Sequence, residues 1–211
     1  MTNILPEKIA IFPLSNAIFF PKTILPLNIF EKRYIQMIND CIKNDRLFGM
    51  IQPKVKKNSE IKVYTVGCLG KITSFNETQD KRFVISLSGI SRFKIKEEIF
   101  SNKLYRQFVV DYSDFKNDLN KKTTNKKVSD IKNLLNKIKI LFKKKNYLID
   151  WSELEKLSFN QLIYTICMIS PFSIEEKQKL LETVEIEDNL NTLEEIVSFN
   201  LLDNFDNKTI Q

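Results

Sequence analysis

The eleven residues Ile24-Leu-Pro-Leu-Asn-Ile-Phe-Glu-Lys-Arg-Tyr34 change periodicity in the middle. Ile24–Ile29 is short and β-branched at both ends, which reads as a strand. Pro26 inside it cannot donate to a ladder, so the strand is expected at an edge or a bend. Asn28 and Glu31 have the spacing of a capping box. Phe30, Tyr34, Met37, Ile38, Cys41 and Ile42 then fall on one face of a helix, expected to end near Asn44–Asp45.

Working outward, the flanks of this strand-to-helix junction are mostly β. Ile9–Leu14 on one side and Leu47–Ile51 on the other are short apolar runs stopped by or holding proline. Val63–Phe75 and Phe83–Ile95 are the longest strand signals. The polar residues 76–80 between them predict a hairpin, with a bulge or bend near Gly89. Leu104–Tyr112 is the last expected strand. Near Phe115 the pattern changes. Residues 114–127 are polar and rich in Lys and Asn, a linker or a frayed helix start, and from Val128 the periodicity is helical. One stripe is Val128, Ile131, Leu135, Ile138 and Phe142. Asp150, Ser158 and Ser173 each precede Glu or Gln by three residues, which predicts three helix starts. A last helix is expected from about Thr192 to Leu202. The organisation is therefore a β-rich part over residues 1–115, a basic linker over 116–127 and a helical part over 128–211.

Composition narrows the function classes. The 211 residues are 43% hydrophobic and 28% charged, which suffices for a real core. There is no histidine, so Ser/His and Cys/His dyads and His-ligated zinc are excluded. Four glycines leave no Gly-rich phosphate loop, and GxxxxGK[ST] does not occur. Cys41, Cys68 and Cys167 lie far apart and read as buried small hydrophobes. No leader or membrane-spanning pattern is read, so a cytoplasmic, soluble protein is expected. The net charge of +7 is uneven: residues 1–115 carry +7, residues 116–145 carry +9 and residues 146–211 carry −9.

A series of phrases now lines up. Phe12-Pro-Leu14, Phe20-Pro21 and Leu25-Pro-Leu27 lead into Ile29-Phe-Glu-Lys-Arg-Tyr34. Leu47-Phe-Gly49, Val66-Gly67 and Gly89-Ile-Ser-Arg-Phe93 follow. In this order and spacing, residues 9–112 resemble the LON domain, the substrate-binding domain of the Lon protease family. Ser170-Pro-Phe172 and the run Glu176–Glu182 resemble the helical tail of small stand-alone bacterial LON-domain proteins. The resemblance implies an α+β fold, with an N-terminal PUA-like pseudo-β-barrel holding one amphipathic helix and a C-terminal helical bundle. It implies binding of unfolded or degron-bearing polypeptides, with a protease or chaperone as further partner. It brings no cofactor, no metal and no catalytic residue. Lon proteases carry ATPase and Ser/Lys peptidase modules that are not read here, so an enzyme is not expected and a role as a non-catalytic adaptor in proteolysis or quality control is. The family often has Pro-Gly where this chain has Pro21-Lys22.

Candidate peptide contacts are Phe19, Phe20, Pro21, Lys22 and Arg33. Two adjacent aromatics on a strand face opposite sides, so one of Phe19 and Phe20 is expected either at the surface or under a neighbouring loop. For Arg33 the competing reading is a structural ion pair across the barrel. The same reading applies to Arg92. The alternative function is RNA association through Lys121, Lys122, Lys126 and Lys127, although no aromatic is interleaved there to stack on bases. Pairing of this basic run with the acidic C-terminal third would instead make it structural.

Overall fold

Alternating apolar residues build most of the first half into strands in the computed structural model, which describes residues 5–15, 17–54, 62–120 and 127–206, with side chains to residue 202. The chain divides into two units, Met1–Asn120 and Lys121–Gln211.

The first unit runs β1 (Lys8–Pro13), β2 (Ile24–Ile29), α1 (Lys32–Lys43), β3 (Leu47–Ile51), β4 (Pro53–Lys54), β5 (Lys62–Val63), β6 (Val66–Glu77), β7 (Phe83–Ile99) and β8 (Arg106–Asp111). β1 pairs parallel with β3 and antiparallel with β8, while β3 pairs with β6, β6 with β7 and β7 with β8. These pairings close a ring of five strands. β2 stands outside the ring on the first half of β7, through Ile24↔Ser88 to Ile29↔Phe83. Pro26 therefore sits in an edge strand, as its missing N–H requires. Along the hairpin, Leu69 pairs with Ser91 and Gly70 with Gly89, which leaves Ile90 as an extra residue. The expected bulge is there, and it bends β7 between its two partners.

Ile9, Ile11, Ile51, Leu69, Phe93, Phe108 and Val110 fill the interior of the ring. Each contributes roughly 1.5–3 kcal/mol on burial. α1 buries Tyr34, Met37, Ile38 and Cys41, as its apolar stripe predicts. Its start differs from expectation. Asn28 stays in β2 opposite Val84, and Glu31 is the N-cap, with no side-chain cap bond. Phe30 precedes the helix and is 62% exposed. The ladder of β2 holds the chain extended through Ile29, so the helix cannot begin where the capping box was read.

Ser113–Leu119 forms a 3-10 segment on β7. Asp118 anchors it. The Arg92 side chain donates to Asp118 through Nε (2.9 Å) and Nη2 (2.8 Å), and the Arg92 backbone N–H donates at 2.8 Å. Both side chains are buried, and the guanidinium lies 4.6 Å from the Phe115 ring centre. The ion-pair reading of Arg92 is thus correct.

The second unit is helical: a 3-10 turn over Val128–Ile131, then α2 (Lys132–Lys144), α3 (Trp151–Leu154), α4 (Phe159–Ile169), α5 (Ile174–Glu182) and α6 (Ile186–Asp206). Asp150, Ser158 and Ser173 occupy the three N-cap positions read from the sequence. Trp151 meets Phe142 edge-on at 5.6 Å and closes the junction of α2 and α3. α6 begins six residues earlier than expected, because Ile186, Leu190, Leu193 and Val197 are all buried and continue one stripe through an acidic first turn. No helix among the described residues is long and apolar enough to cross a membrane.

Candidate functional site

The first turn of α1, the end of β1 and the segment leading into β8 surround a cleft of about 290 Å³. Its apolar lining comes from Pro13, Leu14, Pro53 and Leu104. Its polar lining comes from Glu31, Arg33, Tyr34 and Arg106. Residues 103–105 are held against α1 by three bonds. Lys103 Nζ and the Tyr105 hydroxyl each donate to Asp40 Oδ2 at 2.8 Å, and the Leu104 N–H donates to Gln36 Oε1 at 2.9 Å. Those two donors hold the Asp40 carboxyl below its usual range. The backbone at Leu104 is thus fixed while its side chain stays 62% exposed.

The charged groups differ in how firmly they are held. Arg106 grips Glu98 through Nε and Nη2, both at 2.6 Å, and these bonds push the Glu98 carboxyl down. Arg33 pairs with its neighbour Glu31 at 2.8 Å, with both side chains close to half exposed. Such an exposed pair is worth about 0–1 kcal/mol, so Arg33 is released at little cost. The ion pair expected across the barrel is therefore a local one. Tyr34 is 5% exposed, packs edge-on to Phe12 at 4.3 Å and lies under the Arg33 guanidinium, 4.5 Å from its ring centre. Burial raises its pKa.

Of the sequence candidates, only Arg33 lines this cleft. Of the two alternatives for Phe19 and Phe20, exposure is not met: they are 1% and 0% exposed. Residues 17–20 are not a strand, so the alternation that sends neighbours to opposite faces does not apply to them. Pro21 is buried too. Lys22 adopts φ 63°, the left-handed conformation that Gly would adopt more readily. Its N–H donates to Gly89 O at 2.9 Å, and its Nζ reaches Asn120 O at 2.9 Å. This turn packs on Gly89, away from the cleft.

Lys121, Lys122 and Lys126 lie outside the described residues. Lys127 is exposed, and its backbone N–H donates to Asp130. Within the second unit Lys137 pairs with Glu194 at 2.9 Å and Lys139 with Glu155 at 3.4 Å. The cleft residues that sequence reasoning missed are Leu104 and Arg106. They lie about 70 positions from α1, and no local pattern marks them.

Comparison with known proteins places this geometry. Residues 8–198 match the ATP-dependent protease La (LON) substrate-binding domain. Curated relatives include the Lon protease of Syntrophus aciditrophicus, 25% identical over 93% of this chain and 26% of its own length. The Lon protease of Dictyoglomus thermophilum is 24% identical over 90% of this chain and 24% of its own. A shorter match, to the Lon protease of Desulfosudis oleivorans, is 32% identical over 46% of this chain and 12% of that protein. The chain thus spans about a quarter or less of these relatives. A Lon N-terminal domain protein from Xanthomonas campestris superposes with a TM-score of 0.62 at 16% identity, covering 91% of this chain and 98% of that one. The N-terminal domain of Mycobacterium avium complex Lon protease gives 0.61 at 15%, covering 90% and 98%. At such identities the likeness to the solved structures is one of fold. The sequence match carries the assignment further, and by it this chain belongs to the ATP-dependent protease La (LON) substrate-binding domain family.

Proposed function

We propose that this chain recognises unfolded or degron-bearing polypeptides in the cleft beside α1 and presents them for proteolysis or quality control without cutting them itself. One observation carries the reading: within a LON substrate-binding domain, the cleft combines an apolar lining at Pro13, Leu14 and Leu104 with polar groups at Arg33 and Tyr34. Its volume lies near the lower limit of about 300 Å³ for a small-molecule pocket, which favours one side chain of a passing polypeptide over a bulky ligand. Leu104 stands exposed on a backbone fixed by its own hydrogen bond, so contact there costs little ordering. The lack of histidine and of GxxxxGK[ST] supports the non-catalytic part of the proposal.

Titrating the whole chain into fluorescently labelled casein, an unfolded polypeptide, is expected to give saturable micromolar binding and no cleavage. Leu104→Ser should weaken it about ten-fold, the loss of roughly one buried apolar side chain. Binding no tighter than millimolar would end the recognition reading. Casein cleavage by the purified chain would end the non-catalytic one.

A further inference from the structure

Resting on that reading, we infer that the cleft beside α1 is a carboxylate-recognition pocket, in which Arg33 and the Tyr34 hydroxyl receive an acidic group of the bound polypeptide. Tyr34 carries the inference. It is 5% exposed and lines the cleft, yet its hydroxyl has no hydrogen-bond partner among the described residues. The ring is packed away while the hydroxyl oxygen is not among the buried unpartnered atoms, so the phenol offers its O–H at the cleft, where a ligand can take it. Burial raises its pKa, so it keeps its proton and acts as a donor.

Arg33 supplies the charge. Its present partner is Glu31, two residues away, in a pair exposed enough to exchange for a better acceptor. The guanidinium lies over the Tyr34 ring, so both donors belong to one place. No side chain caps α1, and its first turn holds no acidic residue, so the positive end of the helix adds to the field at the cleft. Arg106 adds a second guanidinium, whose Nε and Nη2 are taken by Glu98. Among the described residues Glu31 is the one carboxylate lining the cleft, and it is already engaged by Arg33. Donors thus outnumber free acceptors, which favours an anionic group over a cationic one. The acidic group could be a chain-terminal carboxylate or an Asp or Glu side chain. The chemistry is shared, and the arms of the test separate the two sources.

The probes are a short labelled alanine- and leucine-rich peptide with a free C-terminal carboxylate, its C-terminal amide, the amide with an internal Glu, and the amide with an internal Lys. Fluorescence anisotropy with the full chain should show the free acid, the Glu peptide or both binding about ten-fold tighter than the plain amide. Preference for the free acid alone identifies a chain terminus, and equal preference identifies acidic side chains as well. Tyr34→Phe keeps the ring on Phe12 and should remove most of that preference. Arg33→Gln should do the same. Glu31→Gln should tighten acidic peptides several-fold by freeing Arg33, a gain that a merely structural role for these residues would not produce. Equal binding of all four peptides, preference for the Lys peptide, or no effect of Tyr34→Phe would each overturn the pocket. If casein still binds in those cases, the recognition reading stands without it. If casein does not bind either, both fall.

Discussion

Asp118→Ala is expected to destabilise the first unit by about 3–5 kcal/mol, a large share of the roughly 5–15 kcal/mol that holds a typical domain folded. The cause is Arg92. Its side chain is 2% exposed, and Asp118 receives Nε, Nη2 and the Arg92 backbone N–H. Without the carboxylate, the buried guanidinium loses the negative charge of this ion pair, and the 3-10 segment Ser113–Leu119 loses its anchor on β7. Urea denaturation followed by far-ultraviolet circular dichroism measures the loss. Replacing both partners together, Arg92→Met with Asp118→Leu, should recover much of it, because the penalty lies in the unpaired charge. A loss under about 1 kcal/mol in the single variant would mean that the pair is solvated and the segment is held by Phe115 instead.

Gly89→Ala should cost about 3 kcal/mol, the upper end of the usual range for overpacking. A Cβ at Gly89 would stand 2.0 Å from the backbone oxygen of Phe20 and 3.0 Å from Pro21 Cα. No rotamer change relieves a clash with backbone. The Pro21-Lys22 turn must retreat, and with it the bonds from Lys22 N–H to Gly89 O and from Gly89 N–H to Thr23 O. Gly49→Ala is the control. Its new Cβ would meet only side-chain ends of Ile11, Ile9 and Phe93, at 2.7–2.8 Å. Those ends shift, so Gly49→Ala should be milder. Equal losses at the two positions would show that close approach of the turn is not what Gly89 provides.

Much of the fold was legible because its signals are local. Alternation marked the long hairpin, and Gly89 marked its bulge. The Ser158 and Ser173 caps were readable because cap and partner lie three residues apart. What escaped depends on residues far apart in sequence. Phe19 and Phe20 looked like a strand pair, but the chain is irregular there and buries both. Asp118 sits in a Lys- and Asn-rich run that reads as solvated, and only its meeting with Arg92 across 26 residues makes it core. The cleft was half legible. Arg33 stands out in the sequence and Tyr34 falls on the packing face of the helix, while Leu104 and Arg106 come from a distant segment held to α1 by bonds to Asp40 and Gln36. Nothing in residues 100–106 announces a binding role.

The central claim is that polypeptides are taken by the cleft of the first unit. Amide hydrogen exchange of the full chain, with and without saturating casein, tests it most directly. The account expects slower exchange at residues 11–15, 31–36 and 104–106, the chain segments around the cleft. Unchanged exchange at all three segments, with protection confined to the second unit, would contradict it.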